Sequence, residues 1–196
     1  KTIANLKAKN GALKAELEQT KVVAIGEIGL DYYWDTTFAA EQMDAFQQQC
    51  HWALDKGLWV DIHCRKAYAD LIKTFKLPEF KELTGIIHCF SGDVEMAKLC
   101  IDRGYILSFA GTLTFKNAPE LRDAVKLVPH DQLLVETDSP FLSPMPNRGA
   151  LNTPAQIANI VRAMAEERNE SVGALAQALS DNAERIFGSF AAGSTI

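Results

Sequence analysis

The sequence predicts an α/β fold built on parallel strands. Three observations carry that expectation. Short apolar runs alternate with amphipathic helical stretches along the whole chain. The runs are rich in Val, Ile and Leu and show little polar alternation, as strands buried on both faces do. Chemically active side chains follow four of the five runs, the position where a barrel of parallel strands builds its sites.

Taken in order, Lys1 to Thr20 reads as helical, broken or turned at Asn10-Gly11, and leads into a first run, Val22 to Ile28. From Glu41 to Lys56, apolar Met43, Phe46, Cys50, Ala53 and Leu54 recur at helical spacing, and Gly57 is a terminator. The second and third runs are Leu58 to Ile62 and Gly85 to Ile87. Asp93 caps a helix that carries Met96, Ala97, Cys100 and Ile101 on one face to Arg103, with Gly104 as its stop. Tyr105 to Phe109 is the fourth run. Pro119 opens a helix that ends before Pro129, and Leu133 to Val135 is the fifth run. Thr153 and Pro154 read as N-cap and first turn of a helix with Ile157, Ile160, Val161 and Met164 on one face. A last helix runs from Ser171 to about Phe187. Residues 1–188 read as one domain and 189–196 as a frayed, flexible tail. Five such units fit a barrel or a doubly wound sheet. No GxGxxG follows a strand and no GxxxxGK[ST] occurs, so nucleotide-binding readings lose their main support.

Composition narrows the class. With 47% hydrophobic and 23% charged residues among 196, the chain has the make-up of a globular domain with a buried core. No apolar run approaches the roughly 20 residues that cross a bilayer, and no signal-peptide pattern opens the chain, so no membrane partner and a cytoplasmic location are expected. The net charge of -5 offers no general grip on nucleic acid; any such substrate has to be held locally and with metal assistance. Cys50, Cys64, Cys89 and Cys100 form no CxxC pair, which excludes zinc-ribbon and thioredoxin readings and leaves buried thiols of a reducing compartment.

The strand ends carry the chemistry. Val22 to Gly26 of the first run ends in Glu27, His63 follows the second run and His88 the third, and the fifth leads through Glu136 and Thr137 to Asp138. Mixed imidazole and carboxylate ligands suit zinc, manganese or iron, whereas carboxylates alone favour magnesium or calcium. Two metals can clamp the attacking and leaving oxygens of a phosphodiester, and a nearby Asp can take the proton of the attacking water. Singly, each residue has a plainer reading. A His at a strand end can be a rim hydrogen bonder, Glu27 can belong to a turn set by Gly26 and Gly29, and Asp138 can cap a turn. The coincidence of four such positions favours a metal-dependent barrel hydrolase.

Five motifs sharpen this reading. Gly26-Glu27-Ile28-Gly29-Leu30-Asp31-Tyr32-Tyr33, Ile62-His63-Cys64-Arg65, Ile87-His88-Cys89-Phe90-Ser91-Gly92, Glu136-Thr137-Asp138-Ser139-Pro140-Phe141-Leu142, and Arg148-Gly149 with Asn152 and Pro154 resemble, in order and spacing, the signature segments of the TatD family of deoxyribonucleases. The match runs from about Val22 to Gly188. The resemblance implies a TIM-like (β/α) barrel of the metal-dependent hydrolase type. It implies divalent metal ions (Mg, Mn or Zn), two in the complete protein, and hydrolysis of DNA phosphodiesters as a 3′-5′ exonuclease. Glu27 would bridge or hold the metals, His63 and His88 would hold the second metal, and Asp138 would bind the first and act as general base. Arg65 and Arg148 would meet substrate phosphate or brace the rim. RNA or another ester is an alternative substrate, since related sites hydrolyse esters and amides, including aminoacyl esters on transfer RNA. A non-catalytic scaffold is a third reading.

The departures from the family pattern set further expectations. Its Asp-x-His-x-His and Gly-x-His-Pro strands have no counterpart; His51 lies in a helical stretch and His130 in a Pro-His-Asp loop. With the Lys1 start, this leads to the expectation of a barrel incomplete at its N-terminus, lacking two strand units and two ligands of the first metal, and of weak or absent activity for the chain as it stands. Asp61 shares the alternation of His63 and either braces a ligand or pairs with water. Thr153 stands where the family has Glu and keeps a capping role. Cys64 and Cys89 follow the two histidines, and alternation turns them into packing against the helices.

Overall fold

In the computed structural model, which describes residues 12–19 and 22–188, each of the five apolar runs forms a strand. Residues 12–16 are helical and 17–19 form a turn; residues 1–11, with the expected turn at Asn10-Gly11, residues 20–21 and the tail 189–196 lie outside the described residues. The chain divides into two compact units, Lys1–Gly85 and Ile86–Ile196.

In the first unit, β1 (Ala24–Asp31) pairs in parallel with β2 (Trp59–Arg65), and α1 (Ala39–Lys56) is the crossover between them. Helix α1 buries Phe46, Cys50, Trp52 and Ala53 and ends on Gly57 at φ 65°, whose N–H donates to the Ala53 and Leu54 carbonyls. Along β2 the sides alternate: Val60, Ile62 and Cys64 are buried, whereas Asp61 and His63 are half-buried on the other face and Arg65 is exposed. Each fully buried Leu, Ile or Phe here contributes about 1.5–3 kcal/mol relative to an exposed one. A short helix, α2 (Tyr68–Phe75), and a turn at Pro78–Phe80 follow; neither was expected from the sequence, because two turns are too few for a helical period to stand out.

Both strands run past their apolar cores, which corrects the expected boundaries. Glu27 and His63 lie inside β1 and β2, not at their ends. The polar residues belong to one face of each strand, so the apolar run stops before the ladder does. The register moves from Ile25↔Val60 to Ile28↔Ile62, so β1 carries one extra residue at Gly26-Glu27, a bulge that re-aims the Glu27 side chain. Two glycines permit it. A Cβ on Gly26 would stand 2.6 Å from Asp61 Cβ, and one on Gly29, at φ +135°, would stand 2.1 Å from the His63 carbonyl oxygen. Asp61 therefore packs over Gly26 on the His63 face of β2. The end of β1 is clamped by Gln42 of α1, which accepts from Asp31 N–H at 2.8 Å and donates to the Asp31 carbonyl at 3.1 Å.

In the second unit, β3 (Gly85–Ile87), β4 (Ile106–Phe109) and β5 (Leu133–Val135) pair in parallel, with Ile87 opposite Leu107 and Phe109 opposite Val135. Helix α3 (Val94–Asp102) is capped as expected, Asp93 Oδ1 accepting from Met96 N–H at 2.8 Å. Helices α4 (Pro119–Leu127), α5 (Ile157–Arg168) and α6 (Val172–Phe187) follow, and the Ser171 hydroxyl accepts from Ala174 N–H. Thr153 holds the N-cap position and Pro154 the first turn, as expected, but of a 3-10 turn, Pro154–Gln156, that precedes α5, and the Thr153 side chain makes no capping bond. Buried Asn182 of α6 donates to the His130 and Leu133 carbonyls, at 2.6 and 2.8 Å, and so satisfies backbone at the start of β5.

Cys50, Cys64 and Cys100 are buried thiols, but Cys89 is only half-buried. The expected alternation fails there because β3 ends at Ile87 and Cys89 sits at φ 44° in a turn. Burial pushes the Cys50 and Cys100 thiols up to about 12. Among the described residues no helix is long and apolar enough to cross a membrane.

Two measurements check these contacts. Gly29→Ala, which meets both the φ constraint and the His63 carbonyl, is expected to cost about 3 kcal/mol or more, read as a lowered urea midpoint with an unchanged slope. Iodoacetamide at pH 8 is expected to leave Cys50 and Cys100 unmodified in the native protein and to label Cys89 first, read by peptide mass spectrometry.

Candidate metal centre

The bulge of β1 and the face of β2 bring three side chains together in the first unit. His63 Nδ1 lies 2.8 Å from Glu27 Oε1, and His63 Nε2 lies 3.1 Å from Asp31 Oδ2. The imidazole is thus bracketed by two carboxylates, and all three groups are partly open to solvent. Asp31 was not among the expected site residues. The available signal was its spacing: it stands four after Glu27 in a strand, and period two returns residues to one face.

The second unit repeats the chemistry. His88 follows β3 directly, as expected, with Nδ1 3.1 Å from Glu136 Oε1 and Nε2 3.4 Å from Asp138 Oδ1. The Ser108 hydroxyl of β4 donates to Glu136 Oε2, and Glu136 N–H donates to the Phe109 carbonyl at 3.0 Å, so Glu136 is held by one side-chain and one backbone bond. Its Oε1 is buried and has no aligned hydrogen-bond donor; the 3.1 Å approach of His88 is close in distance but off the hydrogen-bond direction. Asp138 adopts φ 53°, a conformation Asp tolerates better than most residues. Buried Asn152 keeps it there, donating to the Thr137 and Phe141 carbonyls at 2.6 Å each, on either side of Asp138. Glu136, Ser108 and Asn152 were also missed as site residues. Glu136 could have been found two before Asp138, but the partnership with Ser108 joins residues of different strands and has no local signal.

These donors fit a divalent cation chemically. A neutral imidazole donates from one nitrogen only, so a carboxylate at each nitrogen leaves one lone pair facing another unless the ring is protonated. Each array is net negative in either state, and the second holds a buried carboxylate oxygen with no aligned donor. A cation relieves both conditions, and mixed oxygen and imidazole donors suit zinc and manganese. Among the described residues no three His, Cys, Asp or Glu side chains converge on one point as a complete metal cage. Within the units, Glu27 is brought to His63 and His88 to Asp138.

The two arginines expected at the substrate each lie over an aromatic ring. The Arg65 guanidinium carbon is 3.8 Å from the Tyr33 ring centroid, and that of Arg148 is 4.2 Å from the Phe115 centroid. The remaining histidines have other partners. His51 of α1 packs on Phe80, and His130 Nε2 lies 2.7 Å from Glu170 Oε2. Burial raises the Glu170 carboxyl, but the His130 hydrogen bond and the Arg168 charge outweigh it and hold the group below the ordinary carboxylate range.

Comparison with known proteins agrees with this chemistry. The family model described as TatD related DNase matches residues 3–188. The chain is 40% identical over 167 residues to the metal-dependent hydrolase YabD of Bacillus subtilis, covering 85% of this chain and 66% of YabD. It is 36% identical over 183 residues to the 3'-5' ssDNA/RNA exonuclease TatD of Citrobacter koseri, covering 90% of this chain and 70% of that protein. The crystal structure of YJJV, a TatD homologue from Escherichia coli K12, superposes with a TM-score of 0.84 at 30% identity, over 96% of this chain and 72% of that one. The chain therefore spans about two thirds of the length of the curated relatives it matches.

Glu136→Gln and Ser108→Ala test the support of His88. Each is expected to weaken manganese binding about 10- to 100-fold in calorimetric titration, with a thermal midpoint close to that of the unaltered protein. Unchanged affinity in both variants would remove Glu136 from the metal centre.

Proposed function

The chain belongs to the TatD related DNase family, and on that premise we propose that it acts as a metal-dependent hydrolase of DNA phosphodiester bonds, working from the 3′ end. Its α/β fold is that of the solved TatD homologue. The observation that carries the reading is the repeated array, a histidine between two carboxylates in each unit.

In this reading Glu27, His63, His88 and Asp138 hold divalent cations of the Mg, Mn or Zn class, two in the complete protein. Bound there, the cations supply Lewis-acid polarisation of the phosphoryl group and an acidified water. The chain's own residues do the rest. Asp138, held in its turn by Asn152, accepts the proton of the attacking water. Glu27, aimed by the bulge in β1, serves as ligand and stabilises the cation charge. Asp31 and Glu136 orient the two imidazoles from their other nitrogens. Arg65 and Arg148 meet the substrate phosphates. RNA is a second substrate of the same chemistry, a reading supported by the name of the Citrobacter relative. The four cysteine thiols support a cytoplasmic site of action.

Hydrolysis of a 3′-labelled oligonucleotide by the complete protein tests the proposal. EDTA is expected to abolish it, and manganese or magnesium to restore it. Asp138→Asn is expected to lower turnover by about 10²- to 10⁴-fold while the far-ultraviolet dichroism stays the same. Cleavage that survives chelation would overturn the metal mechanism, and near-normal turnover in Asp138→Asn would remove that residue as the base.

A further inference from the structure

The turn that leaves β1 carries an exposed aromatic group that the metal chemistry does not use. Tyr33 is 50% and Trp34 79% exposed, and their rings meet edge to face with centroids 4.7 Å apart. Arg65, the last residue of β2, lies over Tyr33 and has its guanidinium carbon 5.7 Å from the Trp34 centroid. Exposed single apolar residues are ordinary, but two rings and a guanidinium in mutual contact make a built aromatic cluster, in which Arg65 covers Tyr33 and Trp34 is the more open ring. Local bonds hold the turn in shape. Tyr33 N–H donates to Asp31 Oδ1 at 2.9 Å, Tyr32 N–H donates to the Arg65 carbonyl at 2.9 Å, and the Tyr32 hydroxyl donates to Asp70 at 3.2 Å. Asp35, the neighbouring carboxylate, is engaged by the backbone and hydroxyl of Thr37.

We propose that Trp34, Tyr33 and Arg65 form a stacking platform for an unpaired nucleobase at the end of a single-stranded nucleic acid. The inference rests on the nuclease reading and adds to it the means by which this chain grips its substrate. Three arguments support it. First, a net charge of -5 denies the protein a general hold on phosphates, so affinity has to come from local contacts that tolerate any sequence. Base stacking on aromatic rings, assisted by a guanidinium, is such a contact. Second, the platform is tied to the first carboxylate–imidazole array through one side chain. Asp31 accepts from Tyr33 N–H with Oδ1 and approaches His63 Nε2 with Oδ2. A base on the platform thus holds its sugar and phosphate beside Glu27 and His63. Third, only a base released from its neighbours presents a free face. Single strands and frayed ends are then the ligands, and a blunt duplex is a poor one.

Fluorescence anisotropy in EDTA tests the platform separately from hydrolysis. Two labelled probes of equal length are used, an oligothymidylate and an oligomer of abasic sites, which has the same phosphates and no bases. Trp34→Ala is expected to weaken oligothymidylate binding about tenfold and to leave abasic binding as it was, and Trp34→Phe to restore most of the loss. Equal weakening of both probes, or no weakening of either, would overturn the proposal. So would a change in sedimentation on Trp34→Ala without a change in binding, which would assign the patch to a second copy of the chain. If metal-dependent hydrolysis fails while base-dependent binding persists, the nuclease reading falls and the platform stands.

Discussion

The close approach of β1 to β2 governs the candidate array of the first unit. Two parallel strands bring the side chains of one face into rows, but a regular ladder would not aim Glu27 and Asp31 at the two edges of one imidazole. The extra residue at Gly26-Glu27 breaks the ladder, and Gly29 at φ +135° lets the strand close again against the His63 carbonyl. The cost of the bulge is carried by residues with no side chain to displace. Below it, Ile25, Ile28 and Leu30 of β1 and Val60 and Ile62 of β2 stay buried, so the distortion is seated on an intact core.

The second unit reaches a similar arrangement by other means. Here β3 is short and ends at Ile87, and the histidine stands in the turn beyond it. The carboxylates come from the far end of β5, with Glu136 tied to Ser108 and the Phe109 carbonyl, and Asp138 placed in a left-handed turn by Asn152. In both units one carboxylate of each pair has a separate tie to the protein. Asp31 is tied to the Tyr33 N–H, and Glu136 to Ser108.

The arginines illustrate a further constraint. The chain carries 20 Lys and Arg against 25 Asp and Glu, and both arginines expected at the substrate lie over aromatic rings. Stacking orients the guanidinium plane while its N–H edges remain available to phosphate. Arg65 and its aromatic neighbours therefore act as one surface, and the turn that carries them is braced by backbone bonds on both sides.

The amino-acid sequence by itself determined the α/β class and the positions of the five strands and most helices, and it singled out Glu27, His63, His88 and Asp138 as candidate site residues. Apolar periodicity and strand-end position are local properties, written in neighbouring residues. The true strand ends at Asp31 and Arg65, the short helix Tyr68–Phe75, the idle side chain of Thr153 and the half-exposed Cys89 were not legible, since each depends on which face meets another element. Only the tertiary structure decided that Asp31 meets His63, that Glu136 meets His88 and Ser108, that Asn152 bridges the turn around Asp138, and that Arg65 lies over Tyr33. Those partnerships join residues far apart in the chain, and hydrogen-bond and ring contacts act over a few ångströms in space, a distance that sequence separation does not encode.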